Sequence, residues 1–252
     1  MTNGHILLLC SIAGFGSGLI LEQMNQKQSL VLAAKAAGFA ACSAGFLLRY
    51  YHAFPMLPMY IALHGTTCIL GGIWLWKGPG NDTERFLLPA VILLLCTVQF
   101  LFPKDFYLPF RRSATLWAHA FLLASMAARA MFIVSGIEAA GVIRAGNSLQ
   151  DSRWAYTYAI YGFSWLTISI FCGEIWSLTG WGTPVIWHDP GITCLMAMWF
   201  YWVAVLHMHY TGTWAARLQP ISMAAGGLLV IVLSCVSDTG PFRGFLQQVA
   251  GS

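Results

Sequence analysis

The chain has 252 residues, of which 58% are hydrophobic and only 9% are charged, and its formal net charge is +4. Soluble domains carry about 25% charged residues, so a soluble protein of this composition would lack the polar surface that it needs. The apolar runs are continuous and about 20 residues long, which is the length of a membrane helix and not the alternating pattern of a barrel strand. The composition therefore excludes the soluble classes and predicts an all-α, polytopic membrane helix bundle.

The basic residues are spread over short loops, and no cluster is dense enough to bind nucleic acid. The seven cysteines lie in apolar runs, and none forms a CxxC pair. We therefore expect them to be small packing residues and not a disulfide framework, a thiol-redox motif or a structural zinc site. The chain also has no CxxCH, the attachment motif of a c-type haem.

Eight membrane helices are predicted, separated by segments rich in turn-forming and charged residues. The N-terminal run has no basic region and no small-residue cleavage site, so we expect a first membrane helix that is retained and not a signal peptide. No repeat is detected, and residues 1–252 are expected to form one integral membrane domain. The predicted helices are 5–22, 29–48, 55–76, 86–102, 114–137, 155–175, 192–210 and 220–236.

Two basic residues, Lys35 and Arg129, fall within predicted membrane helices. A charge at membrane depth costs roughly 3 kcal/mol on insertion scales and usually faces a partner or a polar cavity. Each is expected to face a carboxylate-bearing ligand, to snorkel, or to form a helix–helix contact. The loop charges, six basic residues on one side and five on the other, weakly favour an external position for the loop between helices 6 and 7.

The segment from Cys172 to Tyr210 differs from the ordinary short loops, because it holds five of the eleven Trp residues of the chain. Tryptophan belts at the membrane interface explain enrichment in Trp, but they do not explain the order of residues in this segment. In chain order it contains Trp176, Trp181-Gly182, Trp187, Asp189-Pro190 and Leu206-His207.

This order resembles the tryptophan-rich WWD signature of the cytochrome c assembly proteins, a family that includes the CcsA/ResC, CcmC and CcmF haem-handling proteins. The resemblance implies a WWD-like loop at about 176–191, in which haem b is held by Trp176, Trp181, Gly182, Trp187, Asp189 and Pro190. Tryptophan suits this role because it supplies a large planar apolar surface with a hydrogen-bonding tip. Asp189 is expected to cap the seventh helix or to orient His188.

The resemblance extends over residues 49–236. Its upstream matches are Arg49, His52, Pro55 and Tyr60 after the second helix, and His119 near the start of the fifth. The chain departs from the pattern in three places. It has Trp187-His188-Asp189 where the family has Trp-x-Trp-Asp, Ile61 where an acidic residue is expected, and no histidine in its C-terminal tail.

Haem iron takes imidazole nitrogen at its axial positions. The resemblance makes His119 the first candidate, about five residues into its helix and so roughly 7 Å deep. The second ligand stays open between His188, which is preferred, and His52. His207 is a candidate ligand for haem within the membrane, with His64 as a weaker partner, although a satisfied structural histidine is an alternative for His207.

The resemblance implies delivery of haem b to apocytochrome c during c-type cytochrome biogenesis, at the cytoplasmic (inner) membrane and with a CcsB/ResB-like partner. The WWD-like loop would face the periplasmic side, and any enzymatic role would be a share in a cytochrome c haem lyase complex. Two alternatives remain. One is a haem-b electron-transfer anchor of a respiratory complex, which requires paired histidines at matched depths, and the other is a HemX-like member without ligation activity. A metabolite transporter would explain the helices but not the loop.

Overall fold

The computed structural model describes residues 3–59, 61–77, 82–102, 106–107, 115–146, 153–185, 190–212, 215 and 217–239. These residues form an all-α bundle, as the composition predicts, with one small antiparallel pairing between β1 (Pro58–Met59) and β2 (Phe106–Tyr107). The helices are α1 Asn3–Gln23, α2 Gln28–Ala53, α3 Ala62–Lys77, α4 Asp82–Leu101, α5 Leu116–Ala145, α6 Arg153–Trp181, α7 Pro190–Thr211 and α8 Leu218–Thr239.

Seven of these helices are long and apolar enough to cross a membrane, and the exception is α3. The sequence predicts a third span at 55–76, but α3 begins only at Ala62 and has 16 residues. At 1.5 Å per residue it is about 24 Å long, which is shorter than a hydrocarbon core of about 30 Å. Pro55 and Pro58 lack an N–H group, and Pro58 instead pairs with Tyr107 in the β1–β2 ladder.

Helices α2, α5 and α6 end later than the sequence predicts, and the extensions of α2 and α6 carry candidate site residues. Helix α2 continues to Ala53, because its last turn contains neither Gly nor Pro before Phe54-Pro55. Helix α6 continues to Trp181, so Trp176 and Trp181 are helical and not part of a loop. Gly182 then ends α6 with φ +78°, and its N–H donates to the Leu178 carbonyl at 3.0 Å, as in a left-handed helix cap.

Helix α5 lies at the centre of the bundle. It packs against α3, α4, α6 and α8, and 72% of its most apolar stretch is buried, against 22–39% for the other six candidate spans. Most residues of α3 are buried as well. The outer helices therefore turn much of their apolar surface outward, as expected of helices that face lipid.

The buried basic residues form contacts between helices. Lys35 Nζ lies 2.9 Å from Glu22 Oε2, with both side chains at most 5% exposed, and the same ammonium lies 4.4 Å from the ring centroid of Trp74. For Lys35 the structure therefore favours the helix–helix contact over the ligand-binding alternative. Arg129 is also buried, on the central helix α5.

A second ion-pair group lies where α3 and α5 end and α4 begins. Lys77 Nζ is 2.6 Å from Glu84 Oε1 and also contacts Glu138 Oε1. Glu22 and Lys35 lie at the same end of the bundle, where α1 ends and α2 begins. Arg85, which follows Glu84 in the sequence, reaches this pair with its Nε 3.7 Å from Glu22 Oε1. We call these residues the charge cluster: Glu22, Lys35, Lys77, Glu84, Arg85 and Glu138.

Candidate functional site

His119 lies in the first turn of α5, at the end of the bundle opposite the charge cluster. Its imidazole is half-buried between Tyr50 and Phe54, whose ring centroids are 5.5 and 5.9 Å away. Thr115 caps the helix, because its side chain accepts a hydrogen bond from the Ala118 N–H at 3.2 Å. The cap and the two aromatic rings therefore hold the histidine at a defined position.

Both ring nitrogens of His119 are hydrogen bonded. Nε2 lies 3.1 Å from the Pro55 carbonyl oxygen, and because a carbonyl only accepts, Nε2 carries the proton in this arrangement. Nδ1 contacts the Tyr50 hydroxyl and therefore accepts from it. These two contacts select one neutral tautomer and fix the plane of the ring.

Trp176 and Trp181 form an edge-to-face pair on the last turns of α6, with ring centroids 5.3 Å apart. Phe121 of α5 packs against Trp176 at 5.8 Å. Trp181 is 45% exposed, so this aromatic group is open on one side. Such indole rings offer large apolar faces together with an N–H donor.

The histidine and the tryptophans belong to one end of the molecule. Both Tyr50 and Trp176 pack against the same small buried cluster, which consists of Leu57, Ile61, Ala62, Ala118, Leu122 and Met126. We call Tyr50, His119, Trp176 and Trp181 the Trp–His surface. Three helices build it: the end of α2, the start of α5 and the end of α6.

The other candidate histidines are placed differently. His52 is exposed near the end of α2, and its ring contact within the described residues is an edge-to-face one with its neighbour Tyr51, at 6.0 Å. His207 is exposed on α7, whereas His64 is 3% exposed and its Nε2–H donates to the Cys42 carbonyl at 3.0 Å. The electron-transfer alternative requires two histidines that face a common pocket. Because His64 is buried and His207 is exposed, this pair does not meet that requirement.

Four residues of the predicted site lie outside the described residues, namely Tyr60, Trp187, His188 and Asp189. Pro190 is the first residue of α7, and Gly182 ends α6. The roles predicted for these residues and for the candidate histidines stay predictions.

The residues of the Trp–His surface have the side-chain chemistry that haem binding would require. Its indole faces suit a planar apolar macrocycle, and His119 supplies the imidazole that iron prefers. The contact from Nε2–H to the Pro55 carbonyl is of the kind that orients metal-binding histidines. Nδ1 is hydrogen bonded to the Tyr50 hydroxyl and would be free to bind iron only if that hydroxyl turned away.

The comparison with known proteins gives several partial matches. The chain is 28% identical over 122 residues to the cytochrome c biogenesis protein CcsA of Prochlorococcus marinus strain MIT 9313, covering 48% of this chain and 37% of that protein. It is 33% identical over 87 residues to CcsA of strain MIT 9312, covering 34% of this chain and 28% of that protein. These similarities support a relationship to the CcsA proteins.

The similarity is local. The CcsA protein of Prochlorococcus marinus strain AS9601 is 33% identical over 91 residues, which covers 36% of this chain and 29% of that relative. The chain thus matches at most 37% of the length of these three relatives. No family model and no solved structure matches the chain. The WWD signature and the links to CcmC and HemX-like proteins remain predictions.

The sequence analysis missed Tyr50, Phe54 and Phe121, which contact the predicted residues directly. Tyr50 lies next to Tyr51 and His52 in the sequence, and only the continuation of α2 to Ala53 decides that Tyr50 faces His119 while its neighbours are exposed. The two prolines after Ala53 were a signal that the break belongs there and not at residue 48.

The expectation that the cysteines are packing residues stays a prediction, but two of them lie close to a buried histidine. Cys42, His64 and Cys68 each offer one ligand atom, and these three atoms lie within 4.8 Å of one another. The residues come from α2 and α3 and are not spaced as a CxxC motif. Sequence spacing could not reveal this group, because the packing of two helices creates it.

Proposed function

We propose that this protein binds haem b at the Trp–His surface and presents it to apocytochrome c during c-type cytochrome biogenesis. The main support for the proposal is that two pairs of aromatic and histidine side chains come together at one end of the bundle. The Tyr50–His119 pair and the Trp176–Trp181 pair are far apart in the sequence but pack on one buried cluster. The partial similarity to CcsA cytochrome c biogenesis proteins points to the same process.

The residues of the Trp–His surface would have different roles in binding haem. Trp176 and Trp181 would hold the apolar face of the macrocycle, and His119 would bind the iron while the Pro55 carbonyl orients its ring. Haem supplies the vinyl groups to which the thiols of an apocytochrome add. His188, with His52 as the alternative, would complete the axial pair.

The helices support a location in a membrane. Seven apolar helices make it a multi-pass membrane protein, and we propose that it is one domain in the cytoplasmic (inner) membrane with the Trp–His surface on the periplasmic side. A CcsB/ResB-like membrane protein is the proposed partner, and any haem lyase activity would belong to that complex.

The test is the absorption spectrum of the detergent-purified protein, with and without dithionite. Wild type from haem-replete cells is expected to show a Soret band and, when reduced, α and β bands. His119→Ala should lose most of this haem, because an axial ligand is removed. His209→Ala is the matched control, because His209 also has a hydrogen-bonded ring nitrogen, 3.0 Å from Gln219 Oε1, but lies near the other end of the bundle.

Retention of full haem by His119→Ala, or a colourless wild type, would contradict haem binding at this surface. Normal c-type cytochromes in a deletion strain would contradict the role in biogenesis and would favour a HemX-like protein without ligation activity. Rapid reduction of bound haem by quinol would favour the electron-transfer anchor, which the separate positions of His64 and His207 do not support.

A further inference from the structure

Three cysteines and a histidine converge in the interior of the bundle, away from the Trp–His surface. The Sγ atoms of Cys42 and Cys68 are 3.1 Å apart, and a ring nitrogen of His64 completes a group within 4.8 Å. Cys96 of α4 belongs to the same buried cluster as Cys42 and Cys68. The four residues come from α2, α3 and α4, and each is at most 9% exposed.

The histidine distinguishes this group from ordinary cysteine packing. A buried cysteine acts as a small hydrophobe, but a buried imidazole needs partners for both of its nitrogens. The Nε2–H of His64 donates to the Cys42 carbonyl, so the neutral ring keeps a lone pair on its other nitrogen. A backbone carbonyl in this position is a typical outer-shell partner of a metal-binding histidine.

We propose that Cys42, Cys68 and His64 bind a thiophilic d¹⁰ metal ion, Zn²⁺ or Cu⁺. Thiolate and imidazole ligands favour these ions over hard cations such as Mg²⁺ and Ca²⁺. Two thiolates and one imidazole leave a fourth position of a tetrahedral zinc site open. The proposal does not depend on haem binding.

The net charge of the proposed metal site, ion and ligands together, suits an apolar interior. Zn²⁺ with two thiolates and a neutral imidazole has no net charge, and so does Cu⁺ with one thiolate, one thiol and the imidazole. Binding therefore releases two protons to water for Zn²⁺ or one for Cu⁺, with no change in oxidation state. A zinc–sulfur bond is about 2.3 Å long, so the two sulfur atoms, now 3.1 Å apart, need only a small outward movement.

The site would link α2 and α3 below the Trp–His surface. Cys42 precedes Tyr50 on α2 by eight residues, so it lies about 12 Å further along the helix axis. A metal ion there would fix α2 to α3 beneath the turn that carries Tyr50. It would thus be a structural ion and not part of the proposed haem surface.

Metal content measured by mass spectrometry on the full chain tests the proposal. The protein is purified anaerobically in detergent, stripped with a chelator and incubated with one equivalent of Zn²⁺ or of Cu⁺. We expect about one ion per chain in wild type and at least a tenfold loss in Cys42→Ser, Cys68→Ser and His64→Ala. Cys10→Ser is the matched control, because Cys10 is an exposed free thiol on α1.

X-ray absorption at the zinc or copper edge is measured on the wild type, so its result does not depend on variants that fail to fold. It also identifies which of the two ions is bound. Sulfur neighbours together with an imidazole nitrogen are expected. The proposal is overturned if wild type retains neither ion, if the bound ion has only oxygen and nitrogen neighbours, or if Cys42→Ser keeps its metal. A Cys42–Cys68 disulfide in the protein isolated from cells would also overturn it.

Discussion

At the scale of single residues, the partners of His119 decide what its imidazole is able to do. The ring accepts a hydrogen bond from the Tyr50 hydroxyl at Nδ1 and donates one to the Pro55 carbonyl from Nε2. The Tyr50 hydroxyl would therefore compete with iron for Nδ1. A hydrogen bond of this kind contributes about 0.5–1.5 kcal/mol net. If haem binds at His119 as proposed, the Tyr50 hydroxyl would have to release Nδ1 first, which would lower the haem affinity.

Tyr50→Phe is expected to raise the haem affinity of the purified protein about two- to tenfold, since the competing hydrogen bond is removed while the ring can still pack against Phe46. Haem titration followed at the Soret band measures the effect. Tyr51→Phe is the control, because Tyr51 is 79% exposed and belongs to the same helical turn. A lower affinity in Tyr50→Phe would mean that the hydroxyl itself helps to hold haem.

At the scale of helices, close approach of small residues sets the packing of α1 on α2. A Cβ atom added to Gly14 would lie 2.5 Å from the Gly38 nitrogen and 2.6 Å from its Cα. These contacts are with backbone, so the two helices would have to separate. Small residues at such crossings allow the close van der Waals packing on which membrane helices depend.

Gly14→Ala is expected to lower the unfolding temperature in detergent, with a cost of about 1–3 kcal/mol typical of overpacking. Intrinsic tryptophan fluorescence during heating measures it. Gly16→Ala lies on the same helix, where the nearest atom to an added Cβ is Leu93 Cδ2 at 3.9 Å. That control should be neutral or slightly stabilising, because alanine favours helix over glycine by about 1 kcal/mol. Equal effects of the two substitutions would refute the packing argument.

At the scale of the whole molecule, the two ends of the bundle differ in chemistry. The charge cluster joins α1, α2, α3, α4 and α5 through three acidic and three basic side chains, and Lys77 also lies 5.4 Å from the Tyr158 ring of α6. The Trp–His surface occupies the other end. The balanced cluster therefore fixes the relative positions of the helices that build the surface.

Lys35→Met is expected to destabilise the protein by about 3–5 kcal/mol, because it leaves Glu22 as a buried charge with weaker compensation. The double variant Lys35→Met with Glu22→Gln should recover a large part of this loss. Thermal unfolding and membrane yield measure both. Lys27→Met, at an exposed lysine in the α1–α2 turn, should change neither, and a single variant as stable as wild type would show that the pair contributes nothing.

The hydropathy pattern alone determined that the chain is a helical membrane bundle, and it located all eight helices to within a few residues at most ends. Those properties are local, because each apolar run of suitable length forms its own helix in lipid. The order of Trp176, Trp181-Gly182 and Asp189-Pro190 also predicts a relationship to cytochrome c assembly proteins, and partial similarity to CcsA cytochrome c biogenesis proteins supports that relationship.

The tertiary structure decided which side chains meet. It paired His119 with Tyr50, 69 residues away, and Cys42 with Cys68, 26 residues away, and it paired Lys35 with Glu22. It also shortened α3 to 16 residues and placed Trp176 on a helix. The contacts between helices do not follow from local pattern, because each depends on packing angle and rotation, which the combined surfaces of several helices determine.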